Sequence, residues 1–99
     1  MPYIKQRERD DLDPLVDEMY MIFQKETRDD AVTESPGDIN YVFSRLVWRL
    51  FNEDPSYVRG LILRGVLADV RHEFTRRLVD KYEDGKIEEN GDLPEGAPE

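Results

Sequence analysis

Cysteine is absent from this 99-residue chain, and histidine and tryptophan occur once each, as His72 and Trp48. Without thiols there can be no disulfide, no thiolate metal site and no thiol nucleophile. Positive charge is scarce as well: 14 Lys and Arg face 23 Asp and Glu, a formal charge of −9. That balance repels phosphate backbones and argues against direct binding to nucleic acid. Long apolar runs are missing, since none approaches the ~18 residues that cross a bilayer. The charged start has no signal-peptide core, so a cytoplasmic protein with no membrane contact is expected.

What is present is a thin apolar supply, 38% hydrophobic against 37% charged residues. A chain this short buries only about two-thirds of the surface it exposes when unfolded. One domain is expected over residues 1–89, with a disordered acidic tail over 90–99, and oligomerisation would supply missing burial. Charge is also uneven. Residues 55–82 sum to +3 and residues 83–99 to −6, so an anion site belongs in or near the basic segment.

Periodicity points to an all-α fold with three helices. Asp13-Pro14 reads as N-cap and first helical position. Leu12, Leu15, Val16, Met19, Tyr20, Ile22 and Phe23 follow at spacings of three and four, to an end near Lys25 or Glu26. Residues 26–37 hold turn formers and acids without a period, which predicts a flexible loop. Asp38 reads as the next N-cap, and Ile39, Val42, Phe43, Leu46, Val47, Leu50 and Phe51 make the clearest helical stripe in the chain. Pro55 ends it. Ser56 then opens a third helix from Tyr57 to Tyr82, roughly 39 Å long. Its main arc carries Tyr57, Leu61, Leu63, Leu67, Val70, Phe74, Leu78 and Tyr82, and Val58, Ile62 and Val66 lie on another side of its first half. A helix apolar on two sides must be covered on two sides, which predicts a subunit contact. Gly60 and Gly65 make sense there if another backbone comes close.

Three groups carry candidate chemistry. Tyr41, Arg45 and Trp48 lie one above another on the second helix, away from the Ile39/Phe43/Leu46 arc. A guanidinium between two aromatics stacks and still presents donors outward, but a face covered by another helix or a second subunit would carry the same residues. Arg64 and Arg71 fall inside the apolar arc of the third helix and need partners there. They either pair with Asp17, Glu18 or another subunit's acid, or wait in a dry pocket for a phosphate or carboxylate. Tyr3-Ile4-Lys5 either frays or docks over a neighbour's pocket, where Tyr3 and Lys5 would join the ligand-binding set. Catalytic signals are weak. Asp69 and His72 stand at i, i+3, and a metal-dependent nucleotide hydrolase would use Asp17, Glu18, Asp69 and Glu73. No Glu-x-x-Glu pair, phosphate loop or nucleophile elbow supports it. No cofactor and no enzyme activity are expected.

Met1-Pro-Tyr-Ile-Lys-Gln, Gly37-Asp-Ile-Asn-Tyr-Val with Arg45-Leu46, Ser56-Tyr57, Phe74-Thr-Arg-Arg-Leu-Val and Tyr82-Glu-Asp-Gly-Lys-Ile-Glu-Glu-Asn-Gly-Asp together resemble a family of small uncharacterised proteins. It has about a hundred residues and is frequent in tailed-phage genomes and metagenomes. The resemblance assigns no functional residues. It implies a phage setting in the bacterial host cytoplasm, where such proteins inhibit a host protein or sequester nucleotide signals of bacterial immunity between subunits. Arg45, Arg64 and Arg71 would then take phosphates, with Tyr41, Trp48 or Tyr3 on a base. The acidic exterior also suits mimicry of DNA, though the acids lack regular spacing on the helices.

Overall fold

A computed structural model describes residues 4–24 and 30–95; Tyr3 and the end of the expected first helix at residues 25 and 26 lie outside them. The described residues are helical wherever they are regular, in the order α1 (Gln6–Phe23), α2 (Ala31–Glu34), α3 (Pro36–Asn52), α4 (Tyr57–Phe74), a π-helical turn (Thr75–Val79) and α5 (Asp80–Asn90). They fall into two units, residues 1–56 and 57–99.

In the first unit, α1 begins well before Asp13-Pro14, and Pro14 lies inside it. Local bonds explain the early start. The Glu8 carboxylate accepts the Lys5 backbone N–H at 3.0 Å, Gln6 Nε2 donates to Asp10 at 2.9 Å, and Arg9 Nε donates to the Ile4 carbonyl at 3.0 Å. The first gives a partner to a backbone N–H at the helix start, where such donors are left open, and the other two tie side chains across the first turn. Pro14 still removes the bond its N–H would give to Asp10.

The segment read as a loop contains α2. The Asp30 carboxylate accepts the Val32 N–H at 3.1 Å and the Thr33 hydroxyl at 2.9 Å, and Glu34 N–H reaches the Asp30 carbonyl at 2.9 Å. An Asp N-cap thus organises one turn that has no apolar period of its own. α3 starts at Pro36 rather than after Asp38, with Ser35 preceding and proline in its first turn, where a missing N–H costs nothing.

In the second unit, α4, the π turn and α5 form one unbroken helical run from Tyr57 to Asn90, about 51 Å at 1.5 Å per residue. It passes the expected end at Tyr82 by eight residues. Gly85 is absorbed inside it, while Gly91 stops it at φ 82, a backbone region that glycine enters freely. Ion pairs along the run, Arg76 to Glu73 at 2.9 Å and Lys86 to Glu89 at 3.1 Å, join neighbouring turns.

No described residue is buried. Met19, Phe23, Ile39, Val42, Val47, Phe51, Leu63 and Val79 are half-buried, and the other large apolar side chains of the described helices stand exposed. The amphipathic pattern therefore builds helices whose stripes the single chain leaves open. A Cβ placed on Gly65 would meet nothing within 4 Å, so its close neighbour, if it has one, belongs to another molecule.

Candidate functional site

α3 carries the best-formed cluster. Tyr41 and Arg45 stand four residues apart, so their side chains meet across one turn. Arg45 Nη1 donates to the Tyr41 hydroxyl at 2.9 Å, and its Cζ sits 5.7 Å from the Tyr41 ring centroid. One of five guanidinium donors is thereby used, which fixes the plane and leaves the rest for an incoming oxygen. The Tyr41 hydroxyl, already accepting, keeps its own proton to donate.

The Tyr41–Arg45 pair forms a ridge between two shallow depressions. One is lined by Val42, Leu46, Arg49, Leu50 and Glu53, the other by Pro36, Gly37, Asn40, Ser44 and Trp48. Ser44 donates to Asn40 Oδ1 at 3.1 Å on the floor of the second. Tyr41 is 61% exposed and Trp48 63%. Every lining residue comes from the α3 segment and its immediate end, so neither depression has an opposing wall. A ligand held there would meet guanidinium and aromatic groups on one side only.

Arg49 was not singled out from the sequence. It follows Arg45 by four residues and shares the first depression with it, which gives that side two guanidinium groups. The i, i+4 spacing of the two arginines was the available signal.

The remaining sequence candidates are placed elsewhere. Arg64 and Arg71 belong to α4 in the second unit and are exposed, as are Leu67 and Phe74 beside them. Of the two readings of these arginines, an acid partner or a dry pocket, the described residues enclose no dry pocket around them, because an apolar arc is dry only when something covers it. Lys5 precedes α1 as its N-cap and is exposed. Tyr3 lies outside the described residues. Among the described residues no group of three or more His, Asp or Glu gathers to hold a metal ion, and no helix is long and apolar enough to cross a membrane.

Comparison with known proteins gives a family but no activity. No curated protein and no solved structure matches the chain. A family match runs across residues 1–93, taking in both units and the whole Tyr41–Arg45–Trp48 face, and on that match the chain belongs to DUF6899, a domain of unknown function.

Proposed function

We propose that the protein is a non-catalytic binding protein that self-associates through its helices and holds an anionic small molecule between subunits. The observation that carries this reading is the Tyr41–Arg45 pair, a hydrogen-bonded donor set with its guanidinium within cation–π reach of the ring, on an exposed face that lacks a second wall. Bidentate donors such as arginine suit phosphate or carboxylate, and Tyr41 and Trp48 offer rings for a base. A second copy would provide the missing wall and cover the open apolar stripes. Arg49 joins Arg45 as a source of positive charge, and Arg64 and Arg71 contribute if assembly brings them to the same site. In the phage setting that the sequence resemblance implies, a nucleotide signal of bacterial immunity is the ligand class that fits a paired arginine and aromatic face. The protein would act in the host cytoplasm.

Native mass spectrometry of the wild-type chain with cyclic and linear nucleotides tests this. An oligomer that gains the mass of one nucleotide, and loses that gain in Arg45→Ala, supports it. A chain that stays bare with every nucleotide overturns the ligand.

A second reading, a module that inhibits a host protein, is favoured by the exposure of Tyr41 and Trp48, residue types that dominate protein interfaces. A stoichiometric complex with a host protein, lost on Trp48→Ala and formed without any nucleotide, would select it.

A further inference from the structure

The π turn has a geometric effect on the apolar side of the long helix. Val70, Phe74, Leu78 and Tyr82 follow one another in steps of four residues. In an uninterrupted α-helix each such step overshoots a full turn by about 40°, so Tyr82 would drift about 120° away from Val70. The turn Thr75–Val79 is closed by i→i+5 bonding, with Asp80 N–H reaching the Thr75 carbonyl. Its extra residue takes back about 100° of helical phase. Leu63, Leu67, Val70, Phe74, Leu78 and Tyr82 thereby fall on one straight seam. Five of these six are exposed and Leu63 is half-buried.

Charge is distributed oppositely at the two ends of that seam. The first twelve residues of the run carry Arg59 and Arg64 and no acid, whereas α5 carries Asp80, Glu83, Asp84, Glu88 and Glu89 against Lys81 and Lys86. A parallel pair of these helices would set like charge on like charge. An antiparallel pair sets arginines against acids.

From the rephased seam and this charge reversal we infer that α4, the π turn and α5 pair with the same run of a second copy, antiparallel, about a two-fold axis near His72. This rests on the self-association in the proposed function but not on its ligand. One register, to within about a residue along the seam, brings both patterns together. Leu63 meets the partner's Tyr82, Leu67 meets the partner's Leu78, and Val70 meets the partner's Phe74. Arg64 falls within reach of Glu83 of the partner subunit, and Arg59 of the partner's Glu88. An isologous contact of this kind repeats each pair twice.

Single spin labels test the direction, since the chain has no cysteine of its own. His72→Cys and Asn90→Cys are both exposed, and neither belongs to the seam. Antiparallel pairing places the labels at 72 within about 30 Å of each other, for helices packed 8–10 Å apart. It places those at 90 about 50 Å apart, twice their axial distance from the two-fold axis. Charge reversal gives a second readout by sedimentation. Arg64→Glu and Glu83→Arg each weaken association about tenfold, and the double variant regains it. Short distances at both positions, or a double variant no better than the singles, overturn the antiparallel seam while leaving the α3 site standing. A chain that remains monomeric at every concentration overturns this pairing and the self-association in the proposed function together.

Discussion

Arg45 is tied to Tyr41 twice, by a 2.9 Å bond from Nη1 to the phenol oxygen and by a guanidinium lying 5.7 Å from the ring centroid. The two contacts hold one flexible arginine in a defined orientation on an exposed face. That separates the expected effects of neighbouring substitutions. Arg45→Ala removes ligand binding, and Arg45→Lys keeps the charge but loses the planar donor fork, so binding falls without vanishing. Tyr41→Phe keeps the ring and removes the anchor. All three leave helicity unchanged by circular dichroism, because surface substitutions usually fall within about 0.5 kcal/mol. Titration with the nucleotide identified by mass spectrometry checks the order wild type, Lys, Ala.

Arg64→Ala and Arg71→Ala divide the two readings of those residues. Both side chains are exposed on α4, so at a concentration that keeps the copies associated each variant retains wild-type helicity. Loss of helicity on either substitution would mark it as a structural partner instead.

Gly65→Ala reports on what lies against α4. Nothing in the chain comes within 4 Å of a Cβ there, and alanine stabilises a solvated helix by about 0.5–1 kcal/mol over glycine. Helicity at low concentration therefore rises. If another backbone packs on this position in the oligomer, association weakens at the same time, and sedimentation shows that opposite movement.

Pro14 divides α1 into two stretches with different protection. The Asp10 carbonyl lacks its bond from residue 14, so amides over residues 6–13 exchange faster than those over 17–23. Pro14→Ala closes the gap and stabilises the helix by up to about 3 kcal/mol. Hydrogen exchange by mass spectrometry reads both stretches in one experiment.

Periodicity made α3 readable, because seven apolar residues repeat over residues 39–51 and Pro55 stops them. It also put the start of α4 at Tyr57 and the Tyr41 and Arg45 side chains on one face. The start of α1 is not legible because Asp13-Pro14 matches a helix's first turn, whereas the bonds that start it at Gln6 are side-chain contacts without an apolar period. α2 was hidden because it rests on the side-chain bonds of Asp30, not on apolar spacing. The run beyond Tyr82 was cut short by Gly85 and a stretch of acids, although Lys86 and Glu89 pair along it. Burial around Arg64 and Arg71 could not be read from the arc alone. A stripe shows where a partner can sit, and the covering surface is a separate fact. Arg49 has no aromatic one turn before it as Arg45 has in Tyr41, so only its spacing from Arg45 marks it.

With no buried residue among those described, the proposed self-association would make abundance a folding variable. Where the covering surface comes from other copies, each dilution draws the chain toward its unfolded ensemble by mass action, much as a denaturant would. Its melting temperature then becomes a property of the dose as well as of the sequence. Under the proposed self-association, synthesis rate and the number of copies that accumulate in one compartment would set the moment at which these helices close on one another.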